Sequence, residues 1–506
     1  MLTHISLRLR LIALGGGFAA VWLAWGLAQG DYVLPALVAA LVIVAVSVRL
    51  LRTDVAAVAL ALILFGYLVG NRGFAQLMPV PGLPLLPAEI ALLVAGGWIF
   101  LQCASAHRLP FRKDALNWAI LAWLLVGTIR VMFDVRTYGL LAIRDYAMIY
   151  YAAFFFLAQE LARDARSRGF LLGTLKVASF TLPFAVVLSE AFPGFFQTIF
   201  TVRGIPLIFF KGDLALTFMA VSGVFLATTA PVRHRPWLWV LALVEIVYVI
   251  GADNRASMLG ALGALLWLAV SRLRRFVLLQ GAAVLLAGLV VAGLALLADN
   301  LWARGKLAGV SERVLSLGDV VGSGTYVSAE SSMKGDNNRF RTVWWGTVAS
   351  ETLSQNPFFG LGFGYDLSRE FLQEYNPDMA EDFSARSPHS IIMSAFGRMG
   401  FAGLAAFLAF AFLLTRRTWR VMRDPDATPA DLGLWSCAWV ILISACFGVV
   451  LEGPMGAVVF WSLLGLASTP PEPVVTEADG APAAPAEVPS LPSPLASAPL
   501  THHRAL

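Results

Sequence analysis

Blocks of about twenty apolar residues recur along most of this chain, separated by short polar segments. Each block is long enough to cross a hydrocarbon core of about 30 Å as an α-helix. Because backbone groups in lipid have no water to bond to, a bundle of helices satisfies them internally. Only 14% of the 506 residues are charged and 58% are hydrophobic, whereas a soluble domain is about a quarter charged. We therefore predict an all-α polytopic membrane protein.

The apolar blocks predict about 12–14 transmembrane helices with one large loop. The predicted spans are residues 10–28, 32–50, 54–70, 85–103, 115–133, 140–160, 169–191, 206–229, 236–251, 255–271, 276–298, 389–415, 433–451 and 453–468. The predicted regions are an N-terminal transmembrane bundle at 1–298, a loop at 299–388, C-terminal transmembrane helices at 389–468 and a disordered tail at 469–506. The tail is rich in Pro and Ala and nearly free of bulky apolar residues. We expect no cleavable signal peptide, because the first block is followed at once by another span.

Basic residues alternate between the two sides of the predicted bundle. They cluster in every second polar segment, at Arg8 and Arg10, Arg49 and Arg52, Arg108 to Lys113, Arg163 to Arg168, Arg233 and Arg235, Arg272 to Arg275, and Arg416 to Arg423. The intervening short segments carry about one basic residue each, namely Arg72, Arg136, Arg203 and Arg255. The positive-inside rule makes the first set cytoplasmic. Both termini are then predicted to be cytoplasmic, and the loop at 299–388 is predicted to be periplasmic.

The charge and the cysteine content exclude two classes of function. The net charge of +5 does not indicate nucleic-acid binding, because the basic residues lie in short segments between apolar blocks. Cys103, Cys437 and Cys446 all lie in apolar blocks, with no spacing typical of a metal site or of disulfides. We therefore expect no metal site and no nucleic-acid partner.

The loop at 299–388 holds most of the polar chemistry outside the predicted membrane. Within it, the stretch 340–353 has helical periodicity, with Val343, Trp344, Val348 and Leu353 on one face. This helix is predicted to end at Asn356-Pro357, because a residue before proline disfavours the α conformation.

A glycine-rich turn, Gly360-Leu-Gly-Phe-Gly364, comes next. No predicted strand precedes it, so we do not expect a dinucleotide-binding site. Further along, Ser387 suits an N-cap and Pro388 suits the first turn of the following span. This pattern predicts that His389 lies on the first helical turn, at the outer membrane interface.

In this order, the elements resemble the O-antigen ligase and polymerase family of bacterial envelope glycan enzymes. The family signature runs from an arginine to an aromatic one helical turn later, then to Asn-Pro with a glycine-rich turn, then to a histidine that opens a glycine-rich span. The matching elements are Arg341, Trp345, Asn356-Pro357, the turn that ends at Gly364, His389, and the span segment from Gly397 through Gly400 to Gly403.

Upstream, Asn254-Arg255-Ala-Ser257 resembles the family's Ser-Arg element, and Arg203 resembles its first outer-loop arginine. The resemblance covers roughly residues 200–410. Two positions depart from the family pattern: Ser390 stands where the family usually has Asn, and Asn254 stands where it usually has Ser.

This resemblance implies a metal-independent glycosyltransferase. The implied reaction transfers a glycan from an undecaprenyl-diphosphate carrier to lipid A-core or a growing polysaccharide, at the periplasmic face of the bacterial inner membrane. The lipid diphosphate is itself the leaving group, so no cofactor is implied. The expected partners are the lipid-linked donor, the glycan or lipid acceptor, and membrane lipid.

Residue chemistry suits this reaction. Histidine can act as a base near neutral pH, and His389 is the only one of the six histidines outside the predicted cytoplasmic segments and termini. Arginine binds a diphosphate with a permanently charged, bidentate fork. The predicted catalytic residues are His389, Arg255 and Arg341, and the predicted diphosphate ligands are Arg203, Arg339 and Lys211.

Structural alternatives remain open for these residues. Arg255 could snorkel to lipid head groups or cap a helix turn, Arg341 could lie on a solvated helix face, and His389 could only begin a helix at the interface. Arg72 and Arg136 match no family element and are interpreted as interface anchors. Trp344 and Trp345 are interpreted as residues that pack at the membrane interface. Ionisable residues inside the spans are expected to face the bundle interior and to find partners there. They are Arg130, Arg144, Asp145, Lys176, Lys211, Asp213, Glu245 and Arg398.

Two other function classes compete with the transferase. A lipid-linked oligosaccharide flippase also has a dozen or more spans, but transporters commonly show internal repeats and broken midplane helices. No repeat is evident here, and polar residues gather at the outer ends of the spans. A non-catalytic membrane scaffold would not need an outer histidine with a set of arginines.

Overall fold

The computed structural model describes residues 54–78, 85–229, 236–251, 254–274, 329–375 and 386–469, with isolated helical positions at 279, 282 and 286. Side chains at 329–338 lie outside the described set. The predicted spans at 10–28 and 32–50, most of the span at 276–298, and the tail beyond 469 also fall outside it.

The described residues form helices, with one short hairpin. In chain order these elements are α1 Val55–Ala75, α2 Pro87–Ser105, α3 Ala115–Tyr138, α4 Leu140–Leu161, α5 Ala165–Ala191, the strands β1 Thr201–Val202 and β2 Ile205–Pro206, α6 Gly212–Thr229, α7 Pro236–Gly251, α8 Arg255–Ala269, α9 Ala329–Gln355, α10 Arg369–Tyr375, α11 Ile391–Arg423, α12 Pro429–Cys446 and α13 Pro454–Ser468. Eight of these helices, α1 to α6, α11 and α12, are long and apolar enough to span a membrane. The chain is thus an all-α polytopic membrane protein, as the sequence predicted.

The predicted spans on described residues correspond to observed helices, with two boundary errors at functional positions. The span predicted at 206–229 begins at Gly212, because residues 201–206 form the antiparallel hairpin of β1 and β2. Its turn is made by Arg203 and Gly204, both in the left-handed region. The span predicted to begin at His389 begins instead at Ile391.

Small residues allow close approach between the membrane helices. A Cβ atom on Gly260 of α8 would lie 2.5 Å from the Val440 carbonyl oxygen of α12. A Cβ atom on Gly465 of α13 would lie 2.4 Å from the Phe155 carbonyl oxygen of α4. Such contacts are typical of membrane bundles, where lipid is as apolar as the side chains and close packing drives association. Helix α12 thereby packs against α6, α8 and α13.

Candidate active site

Five polar side chains form one group at helix ends that the basic-residue pattern predicts to face outward. Burial, which has the largest effect, and the cations Arg341 and Lys211 together lower the pKa of His389 from 6.5 to about 4, against the opposing effect of the Asp213 carboxylate. Burial also lowers the pKa of Arg341, Asp213 opposes this, and Arg255 reinforces it. Each of the five groups therefore lies within electrostatic reach of at least one other, and Lys211 Nζ lies 4.0 Å from a carboxylate oxygen of Asp213. The group therefore combines a neutral imidazole, three cations and one carboxylate, and we call it the His389 cluster.

Lys211 is held against the end of α1. Its backbone N–H donates to the Asn71 side-chain oxygen at 3.0 Å. Two backbone hydrogen bonds, from Gly73 to Phe209 at 3.1 Å and from Phe209 to Gly70 at 3.2 Å, secure the same segment. Asn71 is fully buried with φ of 52°, a left-handed conformation that Asn tolerates better than most residues. The residues before α6 are thus fixed by a polar contact that hydropathy does not predict.

Arg255 enters the cluster through the start of α8. The Asn254 side chain accepts a hydrogen bond from the Ser257 backbone N–H at 2.9 Å and so caps the helix. Asn caps helices as well as Ser does. The presence of Asn254 where the family usually has Ser therefore preserves this helix start. The Ser257 hydroxyl lies 2.9 Å from the Thr217 hydroxyl of α6 and donates to the Asp213 carbonyl oxygen at 3.4 Å. These contacts bring the beginnings of α6 and α8 together.

His389 lies just before α11, and not on its first turn as the sequence predicted. Its φ is 54°, a left-handed conformation that cannot belong to an α-helix. Ser390 occupies the N-cap position. Ser387, predicted as the cap, instead donates its hydroxyl to the Glu452 carboxylate. Burial, first, and the neighbouring cations Arg341 and Lys211 are the causes of its lowered pKa.

Two tryptophans of α9 fix the surroundings of His389. The Trp345 indole N–H donates to the Pro388 carbonyl oxygen at 2.6 Å. The Trp344 ring meets the His389 ring edge-on with centroids 5.6 Å apart, and its N–H donates to the Leu367 carbonyl oxygen at 2.7 Å. Both residues pack, as predicted, but their N–H groups also position the backbone.

The glycine-rich turn and the glycine-rich part of α11 interlock. Gly360, Gly362 and Gly364 all have positive φ, as does Gly400 at a kink within α11. The backbone N–H groups of Leu361, Gly362, Phe401 and Ala402 donate across to Gly397, Arg398, Pro357 and Phe358 at 2.7 to 3.1 Å. A Cβ atom on Gly400 would lie 2.5 Å from the Phe358 carbonyl carbon. This motif is therefore an anchor for α9 and not a phosphate cradle.

Charged side chains in the bundle hold the same turn. Asp134 accepts the Phe363 N–H at 2.7 Å, and Asp145 accepts the Gly364 N–H at 3.0 Å. Asp145 also pairs with Arg398 of α11 at 2.8 Å, and Arg130 pairs with Asp134 at 3.0 Å. The prediction that ionisable residues inside spans face the bundle interior and find partners there is confirmed for Arg130, Asp145 and Arg398. It is wrong for Arg144 and Lys176, which are exposed.

The predicted site residues fall into two groups, those that lie in the His389 cluster and those that are exposed outside it. Lys211, Arg255, Arg341 and His389 come together from four separate segments of the chain. Arg203 is exposed at the hairpin turn. Arg339 is exposed on α9, two residues before Arg341, and residues two apart point to opposite sides of a helix.

Sequence reasoning left three neighbouring residues without a role. Asp213 was grouped with Lys211 but not assigned to the site. Asn71 and Glu452 were not singled out, although each is a polar residue beside a predicted span end and next to a glycine-containing turn. A search for such residues would have found both. Among the described residues, no three His, Cys, Asp or Glu side chains are grouped as metal ligands would be.

A cavity of about 350 Å³ borders the segment that carries Lys211. Phe209, Phe210 and Gly212 form one wall. Polar groups on the other side include Glu190 at the end of α5, Gln197 and Tyr248 of α7, with the Tyr248 hydroxyl donating to Glu190 at 3.4 Å. This cavity combines aromatic rings with hydrogen-bonding groups, and Phe210 and Gly212 in its lining are the chain neighbours of Lys211.

Comparison with known families adds one finding. Residues 237–408 match the model of the O-antigen ligase family. This range contains Arg255, Arg341 and His389 but not Lys211 or Glu452. No curated protein matches the sequence. The family match supports the assignment that the ordered motifs indicated, and it supports glycan transfer of the O-antigen ligase type.

Proposed function

We propose that this O-antigen ligase-like membrane protein transfers a glycan from undecaprenyl diphosphate to an acceptor hydroxyl, on a lipid A-core or a growing polysaccharide. The reaction takes place at the periplasmic face of the bacterial inner membrane, where residues 299–388 form the outer loop. The observation that carries the proposal is the position of His389 beside Arg341 and Lys211, with Arg255 next to Arg341, at one set of helix ends. The proposal rests on the family match for the reaction class and on this cluster for the roles of individual residues.

The cations suit the leaving group. As the bond between the anomeric carbon and the phosphate oxygen breaks, its electron pair remains on the diphosphate and negative charge develops there. Arg341, Arg255 and Lys211 stabilise that charge, and pre-positioned cations in a partly buried site are effective because they need no reorganisation. Arginine adds a bidentate fork to its charge. Arg203 and Arg339, which are exposed, are proposed to contact the donor at the rim.

His389 activates the acceptor. Its neutral imidazole accepts the proton of the acceptor hydroxyl while the oxygen forms a bond to the anomeric carbon. Undecaprenyl diphosphate leaves in the same step, so no metal or nucleotide is needed. Burial and the adjacent cations keep the ring neutral in the free protein, and binding of the anionic donor offsets those cations and raises the basicity of the ring.

The cavity beside Lys211 is proposed to hold the first sugar of the donor. Glu190, Gln197 and Tyr248 can form hydrogen bonds with sugar hydroxyls, whereas an isoprenoid tail has no hydrogen-bonding groups. Aromatic rings such as Phe209 and Phe210 suit the apolar faces of a sugar. A Glu190→Gln/Tyr248→Phe double variant should weaken binding of glycosylated polyprenyl diphosphate and leave binding of unglycosylated polyprenyl diphosphate unchanged. Equal weakening of both ligands would assign the cavity to the lipid tail.

The flippase alternative predicts a different outcome. Radiolabelled donor and acceptor would be supplied to purified protein in liposomes with product recovered as glycosylated acceptor. Transfer by the wild-type protein excludes a pure transporter or a scaffold. Donor translocation without transfer would support the flippase.

Two variants test the role of His389. His389→Ala should bind donor but lose transfer, because general-base assistance is typically worth about 10²–10⁴-fold. If His389 only hydrogen-bonds the diphosphate, His389→Gln should keep substantial activity and His389→Ala should bind donor poorly. Full activity in both variants would remove His389 from the site.

Sidedness is tested by cysteine labelling. Ser331→Cys should react with an impermeant maleimide from the periplasmic side, and Ser493→Cys should not. Labelling of both positions from outside would contradict the proposed topology.

A further inference from the structure

Glu452 lies in the short connection between α12 and α13, and one of its carboxylate oxygens holds two serines on either side of His389. The Ser394 hydroxyl of α11 donates to Oε1 at 2.7 Å, and the Ser387 hydroxyl donates to the same oxygen. The two serine hydroxyls are 3.2 Å apart. Glu452 therefore ties the segment 387–394 to the last two helices, although it lies outside the residues that match the family model.

The segment it holds is conformationally strained. A non-glycine residue in the left-handed region costs on the order of 1–3 kcal/mol and persists only when its surroundings impose it. His389 has φ of 54°. From α9, Trp345 fixes the Pro388 carbonyl oxygen; from the connection between α12 and α13, Glu452 fixes Ser387. The backbone of His389 is thus set by contacts from two separate elements, and only α9 lies within the matched region.

We propose that Glu452 is a positioning residue that sets the His389 imidazole through the Ser387 hydroxyl. This inference rests on the proposed role of His389 as the base. The charged groups that act on His389 are Arg341 of α9 and Lys211 and Asp213 beside α6. Glu452 accepts hydrogen bonds from Ser387 and Ser394, so its influence on His389 passes through the segment that carries the imidazole and not through a direct hydrogen bond to the ring.

Glu452 could instead serve only to join α11 to the α12–α13 connection. If Glu452 only joins these elements, its replacement should lower thermal stability and protein yield without lowering kcat selectively over donor binding. If Glu452 positions His389, its replacement should lower kcat and leave the Kd for the donor nearly unchanged. A positioning role also predicts rescue by glutamine, because the amide oxygen can accept both serine hydroxyls.

The test compares Glu452→Ala, Glu452→Gln and Ser387→Ala, each as full-length protein in liposomes. Glu452→Ala and Ser387→Ala should each lower kcat by about tenfold or more, with donor Kd changed by less than about twofold. The double variant Glu452→Ala/Ser387→Ala should lose no more than either single variant, as expected for residues that act through one contact. Glu452→Gln should keep about half of the activity or more, with an unchanged pH profile. An inactive Glu452→Gln, additive losses, or wild-type kcat in Glu452→Ala would each overturn the inference.

A second measurement needs no transfer activity. Diethyl pyrocarbonate modifies accessible neutral imidazoles, and the rate at His389 is read from the peptide that contains it by mass spectrometry. This rate should change in Glu452→Ala and Ser387→Ala and stay at the wild-type value in Glu452→Gln. The modification rate could change in Glu452→Ala while the wild-type protein transfers no glycan. That result would overturn the proposed function and leave the positioning contact intact. An unchanged rate in Glu452→Ala would overturn the positioning contact alone.

Discussion

The Trp345 indole N–H donates a 2.6 Å hydrogen bond to the carbonyl oxygen of Pro388, so the outer-loop helix α9 holds the peptide directly before His389. The same helix carries Arg341, one turn earlier, into the cluster around that histidine. One rigid element thus sets a cation and the proposed base together. A shift of α9 would move both groups relative to the membrane helices that carry Lys211 and Arg255.

Trp345→Phe removes the N–H and keeps an aromatic ring. We expect transfer to fall several-fold, because the Pro388 carbonyl loses its partner and the strained His389 backbone loses one of its two supports. The free energy of unfolding should fall by about 1 kcal/mol, the usual value of one hydrogen bond. Trp118→Phe is a suitable control, since Trp118 is 54% exposed on α3. Equal activity in the two variants would show that the hydrogen bond is dispensable.

Replacing Arg341 or Arg255 tests the diphosphate site. Either alanine variant should lower kcat/KM by at least about tenfold, roughly 1.4 kcal/mol of transition-state stabilisation. Lysine should restore only part of the activity, because it keeps the charge but lacks the bidentate fork. Arg136→Ala, at an exposed position on α3, is the matched control and should behave as wild type. Normal glycan output from Arg255→Ala at equal protein level would remove Arg255 from the site.

Hydropathy was sufficient to predict most of the described helices. The spans at 236–251 and 453–468 were placed within one residue of α7 and α13, since even these shorter apolar segments carry a strong signal of their own. The hairpin before α6 was missed because Arg203-Gly204 is a turn of only two residues inside an apolar stretch. The left-handed backbone of this turn cannot be predicted from hydropathy.

The candidate site was predicted in part for a similar reason. His389, Arg255 and Arg341 stood out through residue chemistry and an ordered pattern. Asn71 and Glu452 act by contacts that join residues 140 and 65 positions apart along the chain, and no local pattern encodes such a contact. The backbone of His389 shows the same limit, because its conformation depends on the distant partners Trp345 and Glu452 of Pro388 and Ser387, which the local sequence does not reveal.

The interlock between the glycine-rich turn and α11 predicts a large effect at Gly400. Gly400→Ala should sharply lower thermal stability, because a Cβ atom would lie 2.5 Å from backbone atoms of Pro357 and Phe358 and the φ of 60° disfavours alanine. Gly346→Ala is the control: Gly346 lies within helix α9, and a Cβ atom there meets nothing within 4 Å. It should be neutral or stabilising by about 0.5–1 kcal/mol. The melting temperature of both variants in detergent measures the difference, and similar values would contradict the interlock.

The pH dependence of transfer follows from the surroundings of His389. In the free protein its pKa is lowered to about 4, by burial first and by Arg341 and Lys211 next. Since a base must be neutral to accept a proton, kcat/KM should hold down to about pH 4 and fall below it, because kcat/KM reports on the free enzyme. Bound diphosphate offsets the two cations, so the acid limb of kcat, which reports on the donor complex, should lie at higher pH than that of kcat/KM.

Two substitutions should move the acid limb of kcat/KM in opposite directions. Asp213→Asn removes the carboxylate that raises the pKa of His389, so the limb should move to lower pH. Lys211→Gln removes a cation that lowers this pKa, so the limb should move to higher pH, towards 6.5. Initial rates measured from pH 3.5 to 8 at subsaturating donor test both shifts. A limb that stays fixed in both variants would show that the titrating group is not His389, and the proton of the acceptor would then have to pass to another base.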